Sequence, residues 1–207
     1  MKCVLGILLL SASLTYAGDW NPLFDGSSLN GWKASETPGC FSIVDGNTLQ
    51  VKGGRSHLFW IGTDSIPGEF TDFEFSAKVK TTPGANGGVF FHTEYQETGW
   101  PTHGYEAQVN STHKDKRKTG SIYAVQDVLN DAPSKDGEWF DFLIRVKGKT
   151  ITISVDGKVV NEFTEPADVQ PLEKFKDRRL SSGTFALQGH DPKSITYYQD
   201  IKVRTLK

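Results

Sequence analysis

The 207-residue sequence predicts an all-β protein, a two-sheet antiparallel β-sandwich of the jelly-roll kind. Apolar and polar residues alternate at period two, about a dozen such runs are separated by Gly, Pro, Asn and Asp turns, and helical periodicity is scarce. Phe73, Phe75, Ala77 and Val79 alternate with Glu74, Ser76, Lys78 and Lys80, which buries one face of a strand. Phe140, Phe142, Ile144 and Val146 repeat the pattern. Ile151, Ile153 and Val155 lead through Asp156-Gly157 to Val159-Val160, and an Asp-Gly pair accepts the positive φ angles of a tight hairpin. Ile195 to Val203 is a further strand run. Only Pro166 to Arg179, with Val169, Leu172 and Phe175 three apart, offers a helical turn or two. No linker or composition shift divides the chain, so residues 18–207 are expected to form one domain.

The first residues have a different character. Met1-Lys2-Cys3 is a short positive start, Val4 to Leu10 is apolar, and Thr15 and Ala17 are the small residues before a cut. This is the pattern of a secretory signal peptide over residues 1–17. The apolar run falls well short of the roughly 20 residues of a membrane span, so no membrane anchor is expected. The protein is therefore expected to be exported, to a periplasm or out of the cell. Cleavage removes Lys2 and leaves 22 cationic against 25 acidic side chains, a net charge of −3. It also removes Cys3, so Cys40 cannot form an internal disulfide and reads as a small buried hydrophobe.

Composition narrows the function. With 37% hydrophobic and 12% aromatic residues the chain is too apolar for a disordered segment. Its pI near 6.2 gives no basic footprint for nucleic acid, and the run Lys114-Asp115-Lys116-Arg117-Lys118 reads as a solvated loop. The pairs Gly53-Gly54 and Gly87-Gly88 have no helix after them to make a phosphate loop. A Gly-x-Ser-x-Gly nucleophile elbow is missing. None of the five histidines has the close spacing of a zinc site, although loop acids from separate segments leave a divalent ion such as Ca²⁺ open. Nothing in the sequence itself requires a cofactor. Asn110-Ser111-Thr112 matches a glycosylation sequon, a signal of little weight.

The polar sides of the strands are more informative. In Gly104 to Asn110, Tyr105, Ala107 and Val109 share one face, while Glu106, Gln108 and Asn110 share the other, about 7 Å apart. In Thr184 to His190, Ala186, Gln188 and His190 stand opposite Phe185 and Leu187. Alternation puts His92 on the face of Phe90, and Ser121 to Val125, read as a strand, presents Ser121 and Tyr123 together. Carboxylates and amides bond sugar hydroxyls, and an aromatic ring covers the apolar side of a pyranose. Glu106 and His190 form an acid–base pair if their strands meet.

Taken together, the motifs resemble those of the 3-keto-disaccharide hydrolase family. They run in order through Leu23-Phe24-Asp25-Gly26, Leu29-Asn30-Gly31-Trp32, His57-Leu58, Phe70-x-Asp72-Phe73-Glu74 and Gly87-Gly88-Val89-Phe90-Phe91. Gly104-Tyr105-Glu106-x-Gln108-Val109, Thr119-Gly120-Ser121-x-Tyr123, Gly137-Glu138-Trp139, Asp156-Gly157 and Leu187-Gln188-x-His190 follow. The resemblance implies a concanavalin A-like lectin/glucanase fold with its site on the concave face. It implies Glu106, Gln108, Tyr123, Gln188 and His190 at the site, with Arg55 a looser candidate. Two positions depart from the family pattern. His92 stands where an Arg is frequent, and Gln199-Asp200 where an Arg-Asn pair is common; losing the Arg disfavours an anionic substrate group.

Three functions fit. The first is cleavage of a 3-keto-glycoside supplied by an upstream sugar 3-oxidoreductase. There His190, as a mostly neutral imidazole, takes the C2 proton acidified by the ketone. Glu106 orients the sugar or protonates the leaving oxygen, and Gln108, Gln188 or Tyr123 holds the enolate oxygen, with His92 and Arg55 as further substrate contacts. The second, a glucanase of the same fold, needs Glu-x-Asp-x-x-Glu, whereas Glu106 is followed at those offsets by Gln108 and Ser111. The third is a non-catalytic sugar-binding module, which would draw on the same residue types.

Overall fold

A computed structural model describes residues 18–171 and 173–207. The expected signal peptide, and Leu172 of the expected helical turn, lie outside the described residues. The chain forms two antiparallel sheets. The larger contains β1 (Asn21–Pro22), β3 (Phe41–Val44), β4 (Thr48–Lys52), β6 (Phe73–Thr81), β9 (Phe140–Lys147), β10 (Thr150–Val155), β11 (Lys158–Thr164) and β13 (Ile195–Thr205). Its order is β11-β10-β9-β6-β13-β4-β3, with β1 paired to β13. The smaller sheet has the order β2-β5-β12-β7-β8, from β2 (Trp32–Ala34), β5 (Ser56–Trp60), β7 (Gly87–Thr93), β8 (Tyr105–Val109) and β12 (Thr184–Gly189).

The core lies between the sheets and follows the period-two pattern. Phe73, Phe75, Phe142, Ile144 and Val203 from the larger sheet meet Val89, Phe91, Ala107, Phe185 and Leu187 from the smaller, all fully buried. Phe185 is the hub, with ring centroids 4.8 to 5.1 Å from Phe70, Phe73 and Phe75. Truncating such a ring costs about 3–5 kcal/mol. Asp156 and Gly157 take φ of 49° and 74°, the hairpin that their pairing predicts. Cys40 is buried beside Gly54, whose carbonyl it faces at 3.5 Å.

One expectation changes. Ser121 to Val125 is not a full strand: Ile122 bridges Ala107, Ser121 O and Tyr123 N bond the β8 backbone at Gln108 and Glu106, and the chain then turns at Ala124, whose φ is 60°. Between Pro166 and Arg179 the only helical piece among the described residues is a 3₁₀ turn over Glu173–Phe175. The sequon Asn110 is fully buried, its amide held by the Asp115 and Arg117 carbonyls, so it is closed to a glycan. Gln199-Asp200 sits at a bulge of β13 in the larger sheet, with Asp200 at φ 51° and the Gln199 amide on Thr48, away from the polar face of the smaller sheet. That departure therefore leaves the smaller sheet unchanged.

Candidate functional site

The outer face of the smaller sheet carries alternating rows set by register. One row joins Glu106 on β8, Phe90 on β7, Ala186 on β12 and Phe59 on β5; the next joins Gln108 to Gly88 and Gln188 to His57. Gly88 is small for a reason, since a Cβ there would stand 2.7 Å from a Glu106 carboxylate oxygen. The Glu106 side chain occupies that space. At the mouth of this face, Gly104 turns the chain into β8 with φ 71°, where a Cβ would strike the Phe91 carbonyl at 2.0 Å.

Above these rows is a pocket of about 290 Å³, whose lining includes Glu106, Gln108, Tyr123, Arg178, Gln188 and His190. Five residues singled out from the sequence thus converge on one cavity. Glu106 is 5% exposed. Its carboxylate accepts a 2.8 Å hydrogen bond from the Gln188 amide and lies 3.6 Å from the Arg178 guanidinium. Burial pushes its pKa up to about 7, against the pull of Arg178. Glu106 therefore exchanges a proton near neutrality.

His190 is oriented by its neighbour Asp191. The Nδ1 nitrogen lies 2.9 Å from Asp191 Oδ2, and the same carboxylate accepts from Ser194 Oγ at 2.6 Å and from the Lys193 amide at 2.9 Å. Burial opposes the charge of Asp191, but these hydrogen bonds hold its carboxyl well below the usual range. An ionised carboxylate only accepts, so Nδ1 carries the proton and Nε2 is left as the basic nitrogen.

Each amide has one N–H engaged and its oxygen unpartnered. Gln108 gives its N–H to Asn86 at 2.7 Å, Gln188 gives its N–H to Glu106, and the Oε1 of each is buried without a partner. The carbonyl oxygens themselves cannot hold an enolate, whereas each amide nitrogen carries a second N–H beyond the one engaged here. Two buried acceptors await two donors, such as adjacent hydroxyl groups. Tyr123 lines the cavity, with its hydroxyl 3.3 Å from Asp115.

The buried cation of the pocket is Arg178, which sequence reasoning missed; the exposed Lys174 and Lys176 stand on the same wall. Arg178 is 5% exposed, stacks on Phe175 at 4.1 Å, and gives an N–H to the Tyr123 carbonyl. It comes from the segment 166–181, whose far end is tied down where Glu165 accepts from the Leu180 amide at 2.7 Å and pairs with Lys149. A cation is thus present despite the His92 departure, and the case against an anionic group loses its ground. Trp100 is a second missed wall, 42% exposed, with its ring 5.4 Å from that of His190.

His92 and Arg55 do not join the pocket. His92 takes φ 54° at the bulge opposite Thr184, which breaks the alternation and turns its ring toward Phe73. Its Nδ1 accepts from the Ser181 amide at 3.2 Å and its Nε2 donates to the Thr71 carbonyl at 2.8 Å. It thus anchors the segment that delivers Arg178. Arg55 forms a two-pronged pair with Glu36 at 2.9 and 3.0 Å and rests 5.8 Å from the Trp100 ring, behind the rim.

Ligand atoms of His113, His190 and Asp191 lie within 4.8 Å of one another. The His113 Nδ1, however, accepts the Asp115 amide at 3.1 Å, which places its proton on Nε2, and His190 Nδ1 is spent on Asp191. With both Nδ1 atoms so engaged, the Nε2 nitrogens are the imidazole atoms left for an ion.

A two-sheet sandwich with a polar pocket on one outer face defines a concanavalin A-like jelly roll. The chain belongs to the family described as the 3-keto-alpha-glucoside-1,2-lyase-like domain, whose model matches residues 19–204. That membership makes it a carbohydrate-active protein. Among solved structures it is similar to a candidate glycosyl hydrolase from Parabacteroides distasonis, with 21% identity, 92% of this chain and 94% of that one covered, and a TM-score of 0.75. It is also similar to the carbohydrate-binding module CBM66 from Bacillus subtilis, with 15% identity over 84% and 96% of the chains and a TM-score of 0.58. A Bacillus licheniformis beta-glucanase is similar at 9% identity over 92% and 99%, TM-score 0.58. Comparison with curated proteins gives no match. Among the described residues no helix is long and apolar enough to cross a membrane.

Proposed function

We propose that this protein is an exported enzyme that cleaves 3-keto-glycosides by elimination. The observation that carries the reading is an oriented base and a neutral-range acid facing one pocket, His190 and Glu106. His190 Nε2 takes the proton from C2, which the C3 ketone has made acidic, and the C–H pair moves into an enolate. The enolate collapses, C3=O reforms, C1=C2 forms, and the C1–O bond breaks. The protonated Glu106 gives its proton to the departing oxygen. Water adding across C1=C2 completes a net hydrolysis.

Arg178 supplies the positive field for the enolate oxygen, in a site where burial strengthens charge interactions. The unpartnered oxygens of Gln108 and Gln188 accept from sugar hydroxyls, and Trp100 offers an aromatic face to the ring. The ketone must come from a sugar 3-oxidoreductase acting first, which is the partner this chemistry requires. Placing deuterium at C2 of a 3-keto-glucoside tests the scheme. Slower turnover of the labelled sugar, together with loss of turnover in folded His190→Ala, is expected. Equal rates for both sugars and near-normal turnover in the variant would overturn it.

A further inference from the structure

The wall that Trp100 gives the pocket is fastened from outside it. The chain between β7 and β8 lies outside both sheets, yet its Trp100, Pro101 and Thr102 line the pocket. The Gln96 side chain knits this loop into one unit. Its amide donates to the Thr98 and Trp100 carbonyls at 2.7 and 2.9 Å, and its oxygen accepts the Thr102 amide at 3.1 Å. A unit closed on itself still needs a tie to the body of the protein.

Glu36, just beyond β2, supplies that tie. Its backbone N–H donates to the Glu97 carbonyl at 3.1 Å, and its Oε1 accepts the Gly99 amide at 2.6 Å. Arg55 grips the same carboxylate through two N–H groups, at 2.9 and 3.0 Å, and its guanidinium stands 5.8 Å from the Trp100 ring. Charge-assisted bonds of this kind are the stronger ones, and those from Arg55 and then Gly99 hold the carboxyl below its usual range. Glu36 also takes φ 37°, in the left-handed region that a residue with a β-carbon seldom enters. A surface ion pair needs neither a strained backbone nor a second grip through the main chain, so the arrangement points to a task at the pocket.

That task lies one residue past Gly99. The Trp100 ring centroid is 5.4 Å from that of His190 and 5.5 Å from that of the fully buried His57. Both neighbours meet it at tilted or edge-on angles, and 42% of the residue is in solvent. The place of the indole therefore follows the backbone that carries it.

We propose that Glu36 is a positioning residue for the pocket: its carboxylate clasps the loop at Gly99 and so sets where the Trp100 indole stands against the sugar. This rests on the reading of Trp100 as the aromatic face offered to the sugar ring, and extends it to a residue outside the pocket. It also gives Arg55 its place, as the counter-ion that aims the Glu36 carboxylate.

The test is a double-mutant cycle of Glu36→Ala and Trp100→Ala on a 3-keto-glucoside. Glu36→Ala is expected to raise KM about tenfold while kcat stays within about threefold, since Asp191 still orients His190. Trp100→Ala should raise KM at least as far, and the double variant no further than Trp100→Ala alone. Glu36→Gln keeps an oxygen for the Gly99 amide and should recover most of the loss. Amide exchange in Glu36→Ala should quicken at Gly99 and stay slow along β12. Additive losses in the double variant, an unchanged KM in Glu36→Ala, or exchange that quickens equally along β12 would overturn the clasp and leave the elimination reading intact. A normal KM in Trp100→Ala would remove the aromatic wall and the clasp with it. No turnover by the wild type would overturn the elimination reading and the clasp together.

Discussion

Replacing Glu106 by Gln separates the buried carboxyl from everything else in the pocket. The folded protein holds the Glu106 proton more tightly than an unfolded chain, because its pKa is about 7 against an ordinary value of 4.5. Stability from this group is full below about pH 4.5 and is lost as the pH rises through 7. The difference of about 2.5 pH units, at 1.36 kcal/mol each, makes the loss on the order of 3 kcal/mol. The glutamine of the variant still accepts from Gln188 but does not ionise. Urea unfolding from pH 4.5 to 8 should therefore show the wild type losing about 3 kcal/mol relative to Glu106→Gln, with the gap opening between pH 5 and 7. Parallel pH profiles for the two proteins would refute the claim that burial, rather than Arg178, dominates this carboxyl.

Other perturbations follow from the same geometry. Asp191→Asn removes the charged acceptor that fixes the His190 tautomer, and should lower kcat by about 10²–10⁴-fold, measured on a 3-keto-glucoside. It should also lower thermal stability, because the hydrogen bonds from Ser194 and Lys193 weaken. His57 is held neutral by burial, with its pKa driven down to about 3 despite the nearby Glu36. An unfolded chain would protonate it below about 6.5, so by pH 5 the wild type should lose about 2 kcal/mol that His57→Phe keeps, by urea unfolding. Arg178→Lys keeps a charge but not the planar contacts with Phe175 and Tyr123, and should lower kcat more than tenfold. His92→Phe, distant from substrate, should destabilise the 166–181 segment, seen as faster amide exchange at Ser181.

The fold was legible because strand alternation is local. Phe73 to Val79 announces its buried face in the sequence, and Asp156-Gly157 announces its turn. The site was legible where it rides on regular strands, as with Glu106, Gln108 and Gln188, whose faces follow from counting by two. It failed at His92, because a bulge inverts the count, and at Ser121 to Val125, because one bridge and a turn were read as a strand. Arg178 and Trp100 come from irregular segments with no period to read. Asp191 was within reach of the sequence, as a carboxylate immediately following the candidate base. His57 depends on lateral register between β5 and β12, which no single strand encodes.

The central claim is that the ketone makes the reaction possible. Turnover of a 3-keto-glucoside beside the ordinary glucoside, with products identified, tests it most directly. The account predicts release of the aglycone from the keto sugar alone, with an unsaturated C1=C2 sugar or its hydrate as the other product. Binding of both sugars with turnover of neither would contradict it and leave a sugar-binding module, and equal cleavage of both would mean that the ketone plays no part.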